Sequence, residues 1–191
     1  MEICLPAYRE EMQFSGSRGT RPSNELPVSV PTGEDVVTDG ERALHLSTCR
    51  VFSSGVEFAL TALNRTERHQ LGRHPGHDLL LGLEFADGTV AIAPRFGRHG
   101  ADSGLLRVTG SSGGRHTQQT FYLTRLPPPG PLTVRATIAG SDLPDLVVTL
   151  SGEEIRAAAE RVRRLWPEAP PEAPAPPPEL PAPEGSWFAG R

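Results

Sequence analysis

Residues 120–140, TFYLTRLPPPGPLTVRATIAG, decide the fold. Phe121 and Leu123 before the prolines, and Leu132, Val134, Ala136 and Ile138 after them, fall at every second position. Two is the side-chain period of a strand, so each arm can turn one apolar face to a core. Gln119, Tyr122, Thr133, Arg135 and Thr137 then face outward or line an edge. The run Pro127-Pro128-Pro129-Gly130-Pro131 cannot donate ladder hydrogen bonds, so it cannot lie inside a sheet. It presets a stiff connection, with Gly130 free to take a positive φ. The simplest outcome is a hairpin, and the rival is a longer arch between two packed sheets. Proline runs also serve as ligands for aromatic-lined grooves, but the strand patterns crowding this one favour a structural role.

The same alternation recurs outward from this stretch. Residues 43–52 and 56–64 pair across Ser53-Ser54-Gly55, and Val56, Phe58, Leu60 and Ala62 alternate with Glu57, Ala59 and Thr61 in a half-buried pattern. Residues 79–85 and 89–93 flank Asp87-Gly88, a strong hairpin signal. Leu105 to Thr109 begins a further strand, and residues 146–150 make the last. Val28 and Val30 between prolines suggest a short edge strand, and residues 36–40 a turn. No helical period interrupts these segments, which argues against alternating strand–helix units. The expected fold is all-β, an immunoglobulin-like antiparallel β-sandwich of about eight strands with one C-terminal amphipathic helix.

That helix is expected over residues 151–166. Ser151 and Glu154 form a capping box, and Ile155, Ala158, Ala159, Val162, Leu165 and Trp166 make one apolar stripe. The late arginines suit the negative end of a helix, and Pro167 stops it. Three parts follow: a flexible arm over residues 1–25, the sandwich with its helix over 26–166, and a Pro/Ala/Glu-rich tail over 167–191. The tail ends in GSWFAGR, with Trp187 and Phe188 adjacent at its tip.

Composition removes several function classes. The chain has 191 residues and a formal charge of −4, so no global positive field draws it to nucleic acid or anionic lipid. All nineteen basic residues are arginine, which excludes lysine Schiff-base and phosphate-loop chemistry. Two widely spaced cysteines, Cys4 and Cys49, make no disulfide framework, and Cys49 reads as a buried small hydrophobe. No apolar run reaches membrane-span length and the first residues lack a signal-peptide pattern, so the expected location is the cytoplasm.

The constellations with chemical potential are sparse. His69, His74 and His77 with Asp78 are the nearest to a metal cluster, but their spacing matches no zinc finger and a solvated loop accounts for them. Asp142 and Asp145 can pair for acid–base work, though a polar turn explains them as well. Arg95, Arg98, Arg107 and Arg115 can gather into a basic patch at one loop end. No serine sits in a nucleophile elbow. No cofactor and no catalytic residue are expected. Trp187, Phe188 and Arg191 are the expected partner-binding residues, anchoring an unknown protein at the end of a stiff spacer. The competing reading is a small-molecule or metal-binding domain, with possible hydrolytic chemistry, using the His/Arg loops.

The run YLTRLPPPGPLTVRATIAGSDLPDLVVTLSGEEIRAAAERVRRLWP resembles a family of uncharacterised bacterial proteins. In that family a strand ending in aromatics meets a PLPPPGPLTF-like turn, a second strand, a GIPE-like bend and a helix ending in LWP. Residues 126–132 and 165–167 match well, residues 140–145 stand in for the bend, and Ser54-Gly55-Val56-Glu57-Phe58 looks like the family's earlier hairpin. Arg125 replaces the first proline, and Tyr122 and Thr124 stand where bulkier aromatics are expected. The resemblance implies a shared architecture over about two thirds of the chain, and no activity comes with it.

Overall fold

Alternation governs nearly every described segment. The structure, a computed structural model, describes residues 21–66, 79–94 and 103–167, all within one compact unit. The strands are β1 (Glu25–Leu26), β2 (Val28–Val30), β3 (Val36–Thr38), β4 (Arg42–Val51), β5 (Val56–Asn64), β6 (Leu79–Glu84), β7 (Val90–Ile92), β8 (Leu105–Gly113), β9 (His116–Leu123), β10 (Pro131–Ile138), β11 (Leu146–Ser151) and β12 (Arg163–Arg164). One helix, α1 (Gly152–Glu160), follows β11. The protein is all-β and antiparallel apart from this helix. Among the described residues there are twelve strands against about eight expected, because the two- or three-residue strands β1, β3 and β12 were not anticipated.

The strands form two principal sheets. One runs β2-β4-β5-β9-β8, with β3 also pairing β4, and the other runs β11-β10-β6-β7. Their inner faces share one apolar cluster, with Leu44, Phe58, Leu60 and Phe121 from the first and Leu81, Leu83, Val134 and Val148 from the second. The Asp87-Gly88 turn forms as expected. Asp87 accepts from the Thr89 hydroxyl and N–H at 2.6 and 2.9 Å, and these bonds hold its carboxyl below the usual range.

The proline run is the arch rather than the hairpin. β9 lies in the larger sheet and β10 in the smaller, so residues 124–130 cross between layers. The arch also seats the helix. Gly152 N–H donates to Gly130 O at 2.7 Å, and Arg156 Nη1 donates to Pro127 O at 3.2 Å. At Gly152 a Cβ would come within 2.2 Å of Pro128 O, and at Gly130, where φ is +104°, within 2.6 Å of the Ala86 Cβ. Only glycine tolerates either approach.

Three expectations change at the two ends of this unit. The helix spans 152–160 rather than 151–166. Ser151 caps it, accepting from Glu154 N–H at 3.2 Å, but beyond Glu160 the backbone finds a distant partner. Leu165 N–H donates to Asn24 O at 2.8 Å, and Arg163–Arg164 pairs with Glu25–Leu26. Leu165 and Trp166 therefore leave the stripe and stand exposed, and the arginines lie beyond the helix end. Asn24 and Glu25, at the end of the arm expected over 1–25, are buried in this pairing, and residues 1–20 lie outside the described residues. Residues 36–40 hold a short strand as well as a turn.

Candidate functional site

The sequence-predicted site residues cannot be placed. His69, His74 and His77 lie outside the described residues, as do Trp187, Phe188 and Arg191. Among the described residues, no three His, Cys, Asp or Glu side chains gather as a metal site requires. Arg95 and Arg98 also lie outside, and Arg107 departs from the expected patch. Its guanidinium is half buried, donates to Leu79 O at 2.7 Å and covers the Phe121 ring at 5.0 Å. Desolvation there lowers its pKa.

Among the described residues, a dense group of ionisable side chains lies on the outer face of the larger sheet. Strand alternation places Glu57 on that face, where the sequence predicts exposure, yet its side chain is completely buried. The antiparallel register sets Glu57 between Arg50 on β4 and Tyr122 on β9. Arg50 Nε donates to Glu57 Oε1 at 2.6 Å and its Nη2 reaches the same oxygen. Arg21 Nη1 donates to Glu57 Oε2 at 2.6 Å. Both guanidiniums stay partly in water while the carboxylate does not, so charge pairing offsets the desolvation of Glu57.

Aromatic and hydroxyl groups close the rest of this face. Phe52 meets Tyr122 edge to face at 5.9 Å, and Arg21 lies over the Phe52 ring at 5.9 Å. The Tyr122 and Ser54 hydroxyls are 3.4 Å apart, and burial pushes the Tyr122 phenol above its usual range. Glu25 Oε2 accepts Ser53 N–H at 2.9 Å and Glu25 Oε1 accepts the Ser53 hydroxyl at 2.5 Å. Farther along β5, the Thr61 hydroxyl donates to Ser47 Oγ at 3.0 Å, and Ser47 donates on to Ala59 O. Residues 56–62 are therefore buried on both faces, not half-buried as the alternation predicts. Tyr122 and Gln119, expected outward, are buried too; Gln119 Nε2 donates to Thr109 O at the β8 bulge.

Chemically, the Glu57 group is closed. A general acid or base needs an oxygen that a substrate can reach, and both Glu57 oxygens are held by arginines beneath the surface. Its role is to pin residues 21–26 across the sheet. The buried Cys49 thiol is pushed up to about 12 by desolvation, which removes it as a nucleophile near neutral pH.

The smaller sheet presents the opposite surface. Its outer face carries a shallow groove of about 170 Å³ lined by Leu80, Gly82, Ile92, Arg135, Thr137 and Asp145. Gly82 forms the floor because it carries no side chain between Arg135 and Ile92, its neighbours in register. Ile92 is 64% exposed and Val90 58%. Arg135 Nη2 makes a long 3.5 Å contact with Glu84 at the rim, and Asp145 makes no hydrogen bond or ion pair with any other described residue. Such a surface can bind an apolar side chain flanked by the charges of Arg135, Asp145 and Glu84. Sequence reasoning missed this groove, although a glycine inside a strand pattern signals a close approach.

Among the described residues no helix is long and apolar enough to cross a membrane. No protein-family model, no curated protein and no solved structure matches the chain.

Proposed function

We propose that this chain is a non-enzymatic protein-interaction module, docking through its C-terminal segment with Trp187 and Phe188 as anchors and Arg191 beside them. The observation that supports this reading is the division of the surface. The ionisable cluster around Glu57 is sealed, whereas a groove on the outer face of the smaller sheet is open and mostly apolar. The body then acts as a rigid platform and the Pro/Ala/Glu segment sets reach. The finer description, an immunoglobulin-like sandwich of the bacterial family with the PPPGP turn, draws support from the shared core and from the connections β5–β6, β7–β8 and β9–β10, which switch sheets.

Affinity capture with the full chain and with a chain lacking residues 168–191 tests this function. The expected result is loss of specific partners from the truncated chain. An unchanged partner set defeats it.

A further inference from the structure

We infer that the partner of the C-terminal segment is a second copy of this chain, whose Gly82 groove receives Trp187 or Phe188 while Asp145 and Glu84 attract Arg191. The inference rests on the reading of that segment as a docking element, and it names the receptor.

Three observations carry it. The first is fit. The groove offers about 170 Å³ over a glycine floor, walled by Leu80 and Ile92, which is room for one large side chain. An aromatic ring gains most by leaving water for such a recess. The second is charge. Asp145 sits in the lining without a described partner, and Glu84 stands one register step along β6 beside Arg135. The sequence WFAGR supplies two rings followed within four residues by a cation, with Gly190 free to turn the chain between them.

The third is reach. Residues 167–183 contain nine prolines. Twenty residues separate Pro167 from Trp187, a length of chain sufficient to reach the groove of a neighbouring molecule. Such a contact is head-to-tail, because the segment of one copy meets the sheet of the next. It builds rings or open chains rather than a closed two-fold dimer.

The test uses a labelled peptide of residues 184–191, EGSWFAGR, titrated with a full-length receptor carrying Trp187→Ala and Phe188→Ala. Saturable binding is expected, weakened at least tenfold by Asp145→Arg and several-fold by Gly82→Ala. Both substitutions lie on the outer face, and circular dichroism checks that each receptor folds. In parallel, sedimentation of the unsubstituted chain should show mass rising with concentration, and the Trp187→Ala/Phe188→Ala chain should remain monomeric. No binding, binding indifferent to both receptor substitutions, or a monomer at every concentration overturns the inference. If truncation of residues 168–191 still removes partners under those outcomes, the segment docks on another protein and only the self-association fails.

Discussion

The outer faces of the two sheets are built on opposite terms. On the larger sheet, a carboxylate central to β5 is covered by two arginines, one from the adjacent strand and one from a segment thirty-six residues away in sequence. On the smaller sheet, the centre of β6 holds a glycine and the neighbouring apolar side chains stand in water. The Glu57 charge is covered, whereas Arg135, Glu84 and Asp145 on the smaller sheet stay exposed beside the groove. On the larger sheet the polar groups around Glu57 hold the fold together, while the smaller sheet leaves a shallow groove exposed.

The most forceful way to break the contrast is to strip the cover from Glu57. Replacing Arg21 and Arg50 together by alanine leaves a buried carboxylate without a counter-charge, and should cost about 3 kcal/mol in urea unfolding. The figure sits at the low end for a broken buried pair because both guanidiniums are already partly hydrated. Adding Glu57→Leu to that variant should restore much of the loss, since no charge is then left behind. If the double variant unfolds at the same urea concentration as the parent, the larger sheet's face is not sealed by these pairs.

Beneath that face lies Cys49, whose neighbour Arg50 points the other way. With its thiol pushed up to about 12 from 9.0, the folded state holds a proton that the unfolded chain releases first. Its contribution to stability is therefore complete below pH 9 and is lost as pH rises from there toward 12. In a Cys4→Ser background, a disulfide reagent at pH 8 should find Cys49 unreactive until denaturant is added. Prompt labelling of the native protein would show that the layer above it opens.

The smallest effect belongs to the open face. Gly82→Ala meets nothing nearer than 3.9 Å, so the added methyl fits without a clash. It should stabilise by up to about 1 kcal/mol, because glycine is poor in a strand interior. A melting temperature that falls instead would mean that the groove is closed by contacts within the chain.

Much of the layering was legible in the amino-acid sequence. Period-two alternation located β4, β5, β9 and β10, and Asp87-Gly88 located the β6–β7 turn. The choice between hairpin and arch was not legible, because both satisfy the same alternation on either side of five turn residues. What selects the arch is the seating of Gly152 and Arg156 on its carbonyls, and those residues come more than twenty positions later. The helix end was misjudged for a similar reason. Val162, Leu165 and Trp166 continue a helical stripe locally, but Asn24 offers Leu165 a backbone partner that no local rule can see. Glu57 illustrates the limit most clearly, since alternation correctly assigns its face but says nothing of Arg21 arriving over it. The groove at Gly82 was missed, because its exposed rim depends on which strands pair beside the glycine.

The pairing of Asn24 with Leu165 and Trp166 has a mechanical consequence. The segments flanking β1 and β12 leave from the same end of a two-rung ladder, so tension between them would peel the rungs one after another instead of shearing them together. The body should yield first at that seam under load, with the two main sheets still intact. The same adjacency lets the body be spliced into a surface loop of a host protein with little distortion of either.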